Sequence, residues 1–228
     1  MVQVRFLGHA AFSLEAPGFR GLIDPFLTGN PVASASADSF RELDWIFLTH
    51  GHGDHVGDGV ALAKRTGAKV VCNFDLAQLL EREGVSTQGM YFAGRTKMPF
   101  GWVKMVPAWH GSGFSRGNER VYGGVACGFL LEVEGARIYH AGDTGLTVEM
   151  QLLGEEKVDL ALLPIGGYYV MDGEDAARAV RLIRPRMVVP MHYDTFPPIQ
   201  ADPEAFRALV GNDAEVRILK PGEALDLP

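Results

Sequence analysis

The segment LTHGHGDHVGD, residues 48–58, concentrates the side chains best able to do chemistry in this chain. Its candidates are His50, His52, Asp54 and His55, with glycines between the first three. An apolar run, WIFL, leads into the segment, so these polar residues stand where a predicted strand ends. Packing in a core explains neither three histidines nor an aspartate at such a place. Imidazole nitrogens and carboxylate oxygens together suit zinc, iron or manganese, so the segment predicts a metal-binding turn.

Three more predicted strands also end in histidine or aspartate. WVKMVPAW leads to His110, RIY leads to His140 and Asp143, and RMVVPM leads to His192 and Asp194. If these strands share one sheet edge with the turn, their ends converge on a single site. A lone histidine is usually a surface or packing residue, but the turn favours a metal role for His110, Asp143 and His192. Since one catalytic zinc needs three protein ligands, this excess of candidates predicts two ions.

The elements that must position these residues form a mixed α/β pattern. Short strands are predicted first, at residues 2–7, 11–15, 20–24 and 45–49. Later strands are predicted at 68–73, 102–108, 125–133, 136–143, 158–164, 186–192 and 215–219. Helices are predicted between them, at 58–65, 76–83, 147–153, 173–185 and 202–211. The glycine-rich stretch 110–124 has no clear period and is predicted to be a loop.

Length and composition limit the classes of function. The chain has 228 residues, 47% of them hydrophobic, which is enough for a large core, and one domain over residues 1–228 is expected. The formal charge of −7 argues against a dedicated nucleic-acid or anionic-membrane surface. Cys72 and Cys127 form no C-x-x-C pair, so no disulfide framework is expected. With no predicted signal peptide or membrane-spanning run, we expect a cytoplasmic protein that binds a small-molecule substrate; a homo-oligomer is compatible with the sequence.

Several motifs together resemble those of the metallo-β-lactamase fold. THGHGDH is similar to the H-x-H-x-D-H signature of that family, and LIDP at 22–25 is similar to its early aspartate motif. AWH, AGDT and PMHYDTFP fall where the family has its third histidine, its bridging aspartate and its last histidine. FLGHAAF, YHAGDTGL, LPIGG and MHYDTFP resemble a subgroup of bacterial and archaeal metal-dependent hydrolases. These are relatives of the ascorbate-6-phosphate lactonase and, more distantly, of the N-acyl-phosphatidylethanolamine phospholipase D.

The resemblance implies an α/β (α+β) fold, a four-layer αββα sandwich with the site between the ends of the sheets. One ion would be held by His50, His52 and His110. The second ion would be held by Asp54, His55 and His192, with Asp143 bridging both. Asp24, in LIDP, would be a buried group that orients the metal-binding turn, and the alternative is a turn aspartate before Pro25. Zn²⁺ is the first choice for the two divalent ions, and Mn²⁺ or Fe²⁺ are alternatives.

Two ions about 3.5–4 Å apart would hold a hydroxide that attacks an ester, lactone or phosphodiester bond of a small molecule. Asp54 is predicted to accept the proton of the attacking water. His140 is predicted to act catalytically, by touching the substrate or from behind the ligands, and His9 is a further candidate; for both the alternative is a structural role. The loop from Gly166 to Tyr169 is a candidate for substrate contact, with a plain turn as the alternative, and Arg116 is a candidate for contact with an anionic group.

Three alternatives stay open. The first is an RNA or phospholipid phosphodiesterase, which the acidic composition and the absence of a basic and aromatic stripe disfavour. The second is a non-hydrolytic diiron redox protein. It is disfavoured because His52 stands where such relatives typically carry an acidic residue, and because no flavin domain is predicted. The third is a metal-bound structural module without turnover, which the complete set of ligand-type residues disfavours.

Overall fold

The computed structural model describes residues Met1 to Pro228 and contains sixteen strands, five α-helices and three 3-10 helices. The strands are β1 (Val2–Gly8), β2 (Ala11–Ala16), β3 (Phe19–Ile23), β4 (Trp45–Phe47), β5 (Lys69–Asn73), β6 (Thr87–Met90), β7 (Arg95–Met98), β8 (Gly101–Pro107), β9 (Gly113–Arg116), β10 (Glu119–Tyr122), β11 (Cys127–Val133), β12 (Ala136–His140), β13 (Leu160–Pro164), β14 (Met187–Met191), β15 (Glu215–Val216) and β16 (Ala224–Leu227). The α-helices are α1 (Gly53–Val56), α2 (Gly59–Thr66), α3 (Phe74–Arg82), α4 (Gly173–Ile183) and α5 (Pro203–Val210). The 3-10 helices cover Ala37–Ser39, Val148–Glu155 and Pro197–Ile199.

Two seven-stranded sheets form the centre of the molecule. The first has the order β16-β1-β2-β3-β4-β5-β6, and the second has the order β15-β14-β13-β12-β11-β8-β7. In the first sheet, β1 to β3 pair antiparallel and β3 to β6 run parallel. In the second sheet, β7, β8, β11 and β12 pair antiparallel and β12 to β15 run parallel. The parallel strands bring their carboxyl ends to one edge of each sheet, where ligands of α/β proteins collect.

The inner faces of the two sheets meet in a core of 44 buried residues. Along β1, the buried side chains of Val2, Val4 and Phe6 alternate with partly exposed polar ones, which is the period of a strand with one buried face. The rings of Phe47 in β4 and Phe129 in β11 lie 5.7 Å apart across this core. Hydrophobic burial between the sheets therefore holds their edges in a fixed relation to each other.

Helices cover the outer face of each sheet. Leu62 of α2 and Leu76 and Leu80 of α3 share a second core, of 18 buried residues, with strands of the first sheet. On the second sheet, Val180 of α4 and Phe206 of α5 extend the larger core. The predicted four-layer αββα sandwich is therefore confirmed. The longest α-helix, α4, has 11 residues, and none of the helices has the length and apolar character needed to cross a membrane.

Some predicted elements are wrong in detail. The stretch 110–124, predicted to be a loop, contains the hairpin β9–β10, whose period is hidden because most of its side chains are exposed. The predicted helix 147–153 is a 3-10 helix, Val148–Glu155, and the predicted strand 45–49 ends at Phe47. The predicted strand 215–219 covers only Glu215–Val216. Strands β6, β7 and β16 have no counterpart in the prediction, because each has only four residues and no clear alternation.

Candidate metal centre

The candidate metal centre lies where an edge of one sheet meets an edge of the other. The first sheet supplies, after β4, His50, His52, Asp54 and His55. The second sheet supplies, after β8, β12 and β14, His110, Asp143 and His192. These strand ends do not share one sheet edge, because β4 belongs to a different sheet from the other three strands. The residues still converge, because the two sheets pack face to face.

His50, His52 and His110 form the first group of potential ligands, since their ligand atoms lie within 4.8 Å of one another. His50 Nε2 and His52 Nδ1 are 3.0 Å apart, and the His110 ring centre is 5.1 Å from the centres of both other rings. Gly51 stands between the first two histidines. A Cβ added there would lie 3.2 Å from the carbonyl oxygen of Ser112, so the small residue lets the turn approach this neighbouring segment closely.

The second group contains Asp54, His55 and His192, together with His9. Asp143 lies between the two groups. Its Oδ1 is 3.1 Å from His55 Nε2, and its Oδ2 is 3.1 Å from His192 Nε2. The same Oδ2 is 3.4 Å from His110 Nε2 in the first group. One carboxylate therefore faces potential ligand atoms of both groups, and all seven predicted metal ligands are brought together.

Several buried atoms of the site have no hydrogen-bond partner. They are His55 Nε2, Asp143 Oδ1 and both ring nitrogens of His192. His55 Nε2 and Asp143 Oδ1 are close to each other but lack the geometry of a hydrogen bond. Leaving a buried polar atom unsatisfied costs about 1–3 kcal/mol, whereas a cation between these atoms would satisfy them. The side chains therefore fit a divalent ion with nitrogen and oxygen ligands.

Asp24 lies behind the turn and fixes two of its side chains. Its Oδ1 accepts the N–H of Thr49 at 2.8 Å, and its Oδ2 accepts the Thr49 hydroxyl at 2.6 Å and His55 Nδ1–H at 2.7 Å. The His55 Nε2 is therefore left for a metal ion. The Thr49 hydroxyl donates to Asp24 and so accepts from His50 Nδ1, 3.0 Å away, which leaves the His50 Nε2 free as well. Asp24 is fully buried, so the prediction of a buried group behind the turn is confirmed.

The charges of the site suit a cation. Burial alone would raise the pKa of Asp143, but the neighbouring His55 and His192 hold that pKa well below its ordinary value. Burial lowers the pKa of His50 well below its usual value, and His55 adds to this effect. Burial also opposes a proton on His55, but Asp143 and Asp24 raise its pKa well above its usual value. A positive charge is therefore favoured between these two carboxylates, and a metal ion supplies it without the proton.

A cavity of about 430 Å³ opens over the two groups. The floor of the cavity consists of His52, Asp54, His110, Asp143 and His192. The wall of the cavity consists of Ser115, Arg120, Tyr169 and Phe196. Ser115 and Arg120 come from the hairpin β9–β10, Tyr169 from the loop before α4, and Phe196 from the loop after β14. A molecule in the cavity would therefore meet ligand-type side chains on one side, and hydroxyl, aromatic and cationic side chains on the other.

Comparisons with known proteins identify the family of the chain. A family profile described as a β-lactamase superfamily domain matches residues 3–192. The UPF0173 metal-dependent hydrolases of Thermococcus onnurineus and Pyrococcus furiosus are 54% and 53% identical to the chain, and each match covers 100% of both proteins. This protein belongs to the metallo-β-lactamase superfamily. The solved structure of Igni18, a metallo hydrolase from Ignicoccus hospitalis, is 38% identical with a TM-score of 0.90, and the match covers 100% of this chain and 99% of Igni18.

The relatives that are 54% and 53% identical also give the class of enzyme. The chain is a metal-dependent hydrolase, as its relatives of the same family are named. Its histidines and aspartates can bind metal ions, as that class requires. The resemblance to the metallo-β-lactamase fold and the predicted enzyme class are therefore confirmed, whereas the relation to the ascorbate-6-phosphate lactonase stays a prediction.

His9 lies at the candidate metal centre, beside Asp54, His55 and His192. Its Nε2 is 3.3 Å from Asp54 Oδ2, and its Nδ1 is 2.9 Å from the Thr195 hydroxyl. Its ring centre is 4.0 Å from that of His192. Burial lowers the pKa of His9 to about 4, so the ring is neutral at pH 7. In that state Nε2–H donates to Asp54, and Nδ1 accepts from the Thr195 hydroxyl, which fixes the direction of the carboxylate.

His140 is surrounded by backbone and does not line the cavity. Its ring is fully buried, with Nε2 2.9 Å from the carbonyl oxygen of Ala10. Its Nδ1 accepts the N–H of Gly142 at 3.1 Å, and this bond supports the turn that carries Asp143. Because both ring nitrogens are engaged, neither is available to a substrate. The geometry therefore favours the structural alternative for His140 over the predicted catalytic role.

Of the wall residues, Tyr169 lies in the loop Gly166 to Tyr169 that the sequence indicated, whereas Ser115, Arg120 and Phe196 were not predicted. In the hairpin, Arg120 pairs with Ser115 across the strands, so both point to the same face and line the cavity. Arg116, the candidate for contact with an anionic group, points to the other face, does not line the cavity and pairs with Glu83 at 3.2 Å. Strand alternation within 113–122 is the signal that would have distinguished the two arginines, once the stretch was known to be a hairpin.

Proposed function

We propose that this hydrolase cleaves an ester, lactone or phosphodiester bond of a small molecule with two divalent metal ions. One observation carries the proposal: seven ligand-type side chains form two groups around Asp143 and open into a cavity. The two groups support two ions, because each group offers at least three donors. The open side supports catalysis, because a structural zinc site is closed by its four protein ligands.

Each ion would have its own set of residues. The first set would be His50, His52 and His110, and the second would be Asp54, His55 and His192, with Asp143 shared. When bound, the ions would lower the pKa of a water molecule and polarise the bond to be cleaved. Mixed nitrogen and oxygen ligands favour zinc as the first choice, and manganese or iron are the alternatives because such ligands discriminate weakly among these metals.

The residues of the chain would position the proton acceptor. Burial alone would raise the pKa of Asp54, but the hydrogen bond from His9 holds that pKa below its ordinary value. The carboxylate is therefore ionised at neutral pH and able to accept a hydrogen bond from the attacking water. We assign Asp54 the role of proton acceptor and His9 the role of a positioning residue, because His9 holds one carboxylate oxygen and Thr195 holds His9.

The size and charge of the cavity support a small-molecule substrate. A volume of about 430 Å³ suits a small molecule, and Arg120 is the one cation of its lining. Surfaces that bind nucleic acid or anionic membranes usually carry several basic residues, whereas this chain has a formal charge of −7. The buried free thiols of Cys72 and Cys127 are compatible with the reducing cytoplasm that we propose as its compartment.

The test is metal-dependent turnover of chromogenic esters, lactones and phosphodiesters by protein loaded with zinc or manganese. We expect one bond class to react, and we expect Asp54→Asn to lower kcat at least about 100-fold, because the proton acceptor is lost. Asp58→Asn is the matched control, since Asp58 accepts the N–H groups of Leu27 and Thr28 and does not line the cavity. Turnover that survives complete chelation of metal, or that Asp54→Asn leaves unchanged, would contradict the proposal.

A further inference from the structure

The hairpin β9–β10 brings a cation to the open side of the metal centre. Arg120 lines the same cavity as His52 and Asp143. Its side chain crosses Gly113 so closely that a Cβ added at Gly113 would collide with Arg120 Nε. The glycine therefore provides the space in which the guanidinium lies, and a larger residue would displace it.

Hydrogen bonds tie the base of this hairpin to the metal-binding turn. Ser112, just before β9, accepts the N–H of Gly51 at 3.0 Å and donates its hydroxyl to the carbonyl of Gly123 at 2.8 Å. The N–H of Gly123 donates to the carbonyl of Ser112 at 2.8 Å, and the Asn73 amide donates to the carbonyl of Gly123 at 2.9 Å. Gly51 lies between two potential metal ligands. Because these bonds hold both ends of the hairpin, Arg120 is held at a defined distance from the metal centre.

Arg120 has no anionic partner within the protein. Its side chain makes no ion pair and no hydrogen bond, whereas Arg116 on the facing strand pairs with Glu83 at 3.2 Å. The two carboxylates of the cavity face histidines instead: Asp54 faces His9, and Asp143 lies among the ligand-type imidazoles. An unpaired guanidinium therefore stands beside the cavity with its donors available to a bound molecule.

We infer that the substrate carries an anionic group, a carboxylate or a phosphate, and that Arg120 binds this group while the scissile bond lies over the floor of the cavity. The inference rests on the proposed function and names the substrate class of the same site. A guanidinium suits both anions because its planar fork donates two parallel hydrogen bonds to them. Tyr169 and Phe196 form the rest of the wall, so the body of the substrate would pack against aromatic rings.

The test uses two thiols that differ only at the far end, mercaptobutanoate and mercaptobutanamide. A thiolate binds zinc and so anchors either probe at the metal centre. In calorimetric titrations of zinc-loaded wild-type protein, we expect the acid to bind about tenfold more tightly than the amide. Arg120→Gln should remove most of this preference, and Arg116→Gln, the matched control on the facing strand, should keep it. A thiol of the same series that ends in a phosphonate identifies which anion binds more tightly.

The outcomes separate this inference from the proposed function. Equal affinity of wild-type protein for the acid and the amide, or a preference that survives Arg120→Gln, overturns the role of Arg120 and leaves the metal centre standing. If neither thiol binds to protein that has been offered zinc, the proposed metal centre is itself wrong, and the inference fails with it.

Gly113→Ala is a second variant, which keeps the guanidinium charge of Arg120 but displaces it from its position. Gly113 does not have a positive φ, so alanine is compatible with the backbone there. The added methyl group would occupy the space of Arg120 Nε, and we expect the preference for the acid to fall while affinity for the amide stays the same. A preference equal to that of the wild type would contradict the placement of the guanidinium.

Discussion

The floor and the wall of the cavity are built in opposite ways. On the floor, Asp143 is only 3% exposed and His192 only 2% exposed, and the metal-binding turn is held from behind by Asp24. On the wall, Tyr169 is 55% exposed and Phe196 is 36% exposed. The floor is therefore fixed by the packing of two sheets, whereas the wall belongs to a hairpin and two loops on the surface.

Because of this difference, we expect the floor to determine the chemistry and the wall to determine which substrate binds. A change on the floor, or directly behind it, is expected to alter metal binding and with it every reaction of the enzyme. A change on the wall is expected to alter which substrate binds and how tightly. None of the wall side chains forms a hydrogen bond with a potential metal ligand, whose bonds are with one another, with His9 and with the residues behind the turn. Variants of floor and wall residues should therefore have effects of different size and kind.

Asp143→Asn should have the largest effect. Asparagine keeps the size of the side chain but removes the charge that faces both groups of ligands. We expect metal content measured by ICP-MS to fall for both ions. We expect kcat to fall about 1,000-fold or more, since loss of a residue that only hydrogen-bonds to a ligand already costs about 10- to 100-fold. Asp226→Asn on β16, far along the first sheet, serves as the control. Full metal content in the Asp143 variant would show that this carboxylate is not a shared ligand.

Asp24→Asn should have the next largest effect. Asparagine has one acceptor oxygen, so its NH2 group must face either the N–H of Thr49 or the two donors that Oδ2 now accepts, the Thr49 hydroxyl and His55. Either orientation disrupts the network that directs His55 Nε2 to the metal centre, and we expect metal affinity to fall about 10- to 100-fold. Competition with a chromogenic chelator measures the change. Wild-type affinity in this variant would mean that the buried network does not orient the ligands.

The metal-free protein should lose stability as the pH falls from about 6.5 to about 4. The folded state lowers the pKa of His9 to about 4, below the ordinary value of 6.5, so the unfolded chain binds the proton more readily in this interval. Stability from His9 is present above pH 6.5 and is lost as the pH falls towards 4. Between pH 7 and pH 4.5 this amounts to about 2 kcal/mol. Urea unfolding at both pH values should therefore show a smaller loss in His9→Gln than in the wild type, and equal losses would exclude this role.

Tyr169→Ala should have the smallest effect on the metal centre. The side chain lies on the wall and is more than half exposed, so we expect stability within about 0.5 kcal/mol of the wild type and unchanged metal content. The KM for a responsive substrate should rise several-fold with little change in kcat, because uniform binding is lost. Loss of metal in this variant would contradict the claim that wall residues do not contribute to metal binding.

The sequence was sufficient to predict the floor, but of the wall it indicated only Tyr169. His50, His52, Asp54 and His55 lie in one short turn, and a cluster of such residue types has no explanation in packing. His110, Asp143 and His192 follow apolar runs, so their position at strand ends is also readable. The sandwich itself was predictable through the resemblance and the alternation of strands and helices.

The position of Arg120 on the wall depends on contacts between residues of two strands, which the order of residue types along the chain does not predict. Arg120 reaches the cavity because it pairs with Ser115 across a short exposed hairpin and crosses Gly113. Neither relation has an apolar period to reveal it, and the sequence favoured Arg116 instead. His140 is the opposite case: it lies near Asp143 in the chain, but both of its ring nitrogens are engaged by the backbone and it does not line the cavity.

The most direct test of the two-ion centre is the number of metal ions bound to each chain, measured by ICP-MS after reconstitution with zinc and removal of loosely bound metal. A two-ion centre predicts two ions in the wild type. It predicts about one ion in His110→Ala, which would lose the first, and about one in His192→Ala, which would lose the second. A wild-type chain that binds one ion or none, or variants that both keep two, would contradict the two-ion centre.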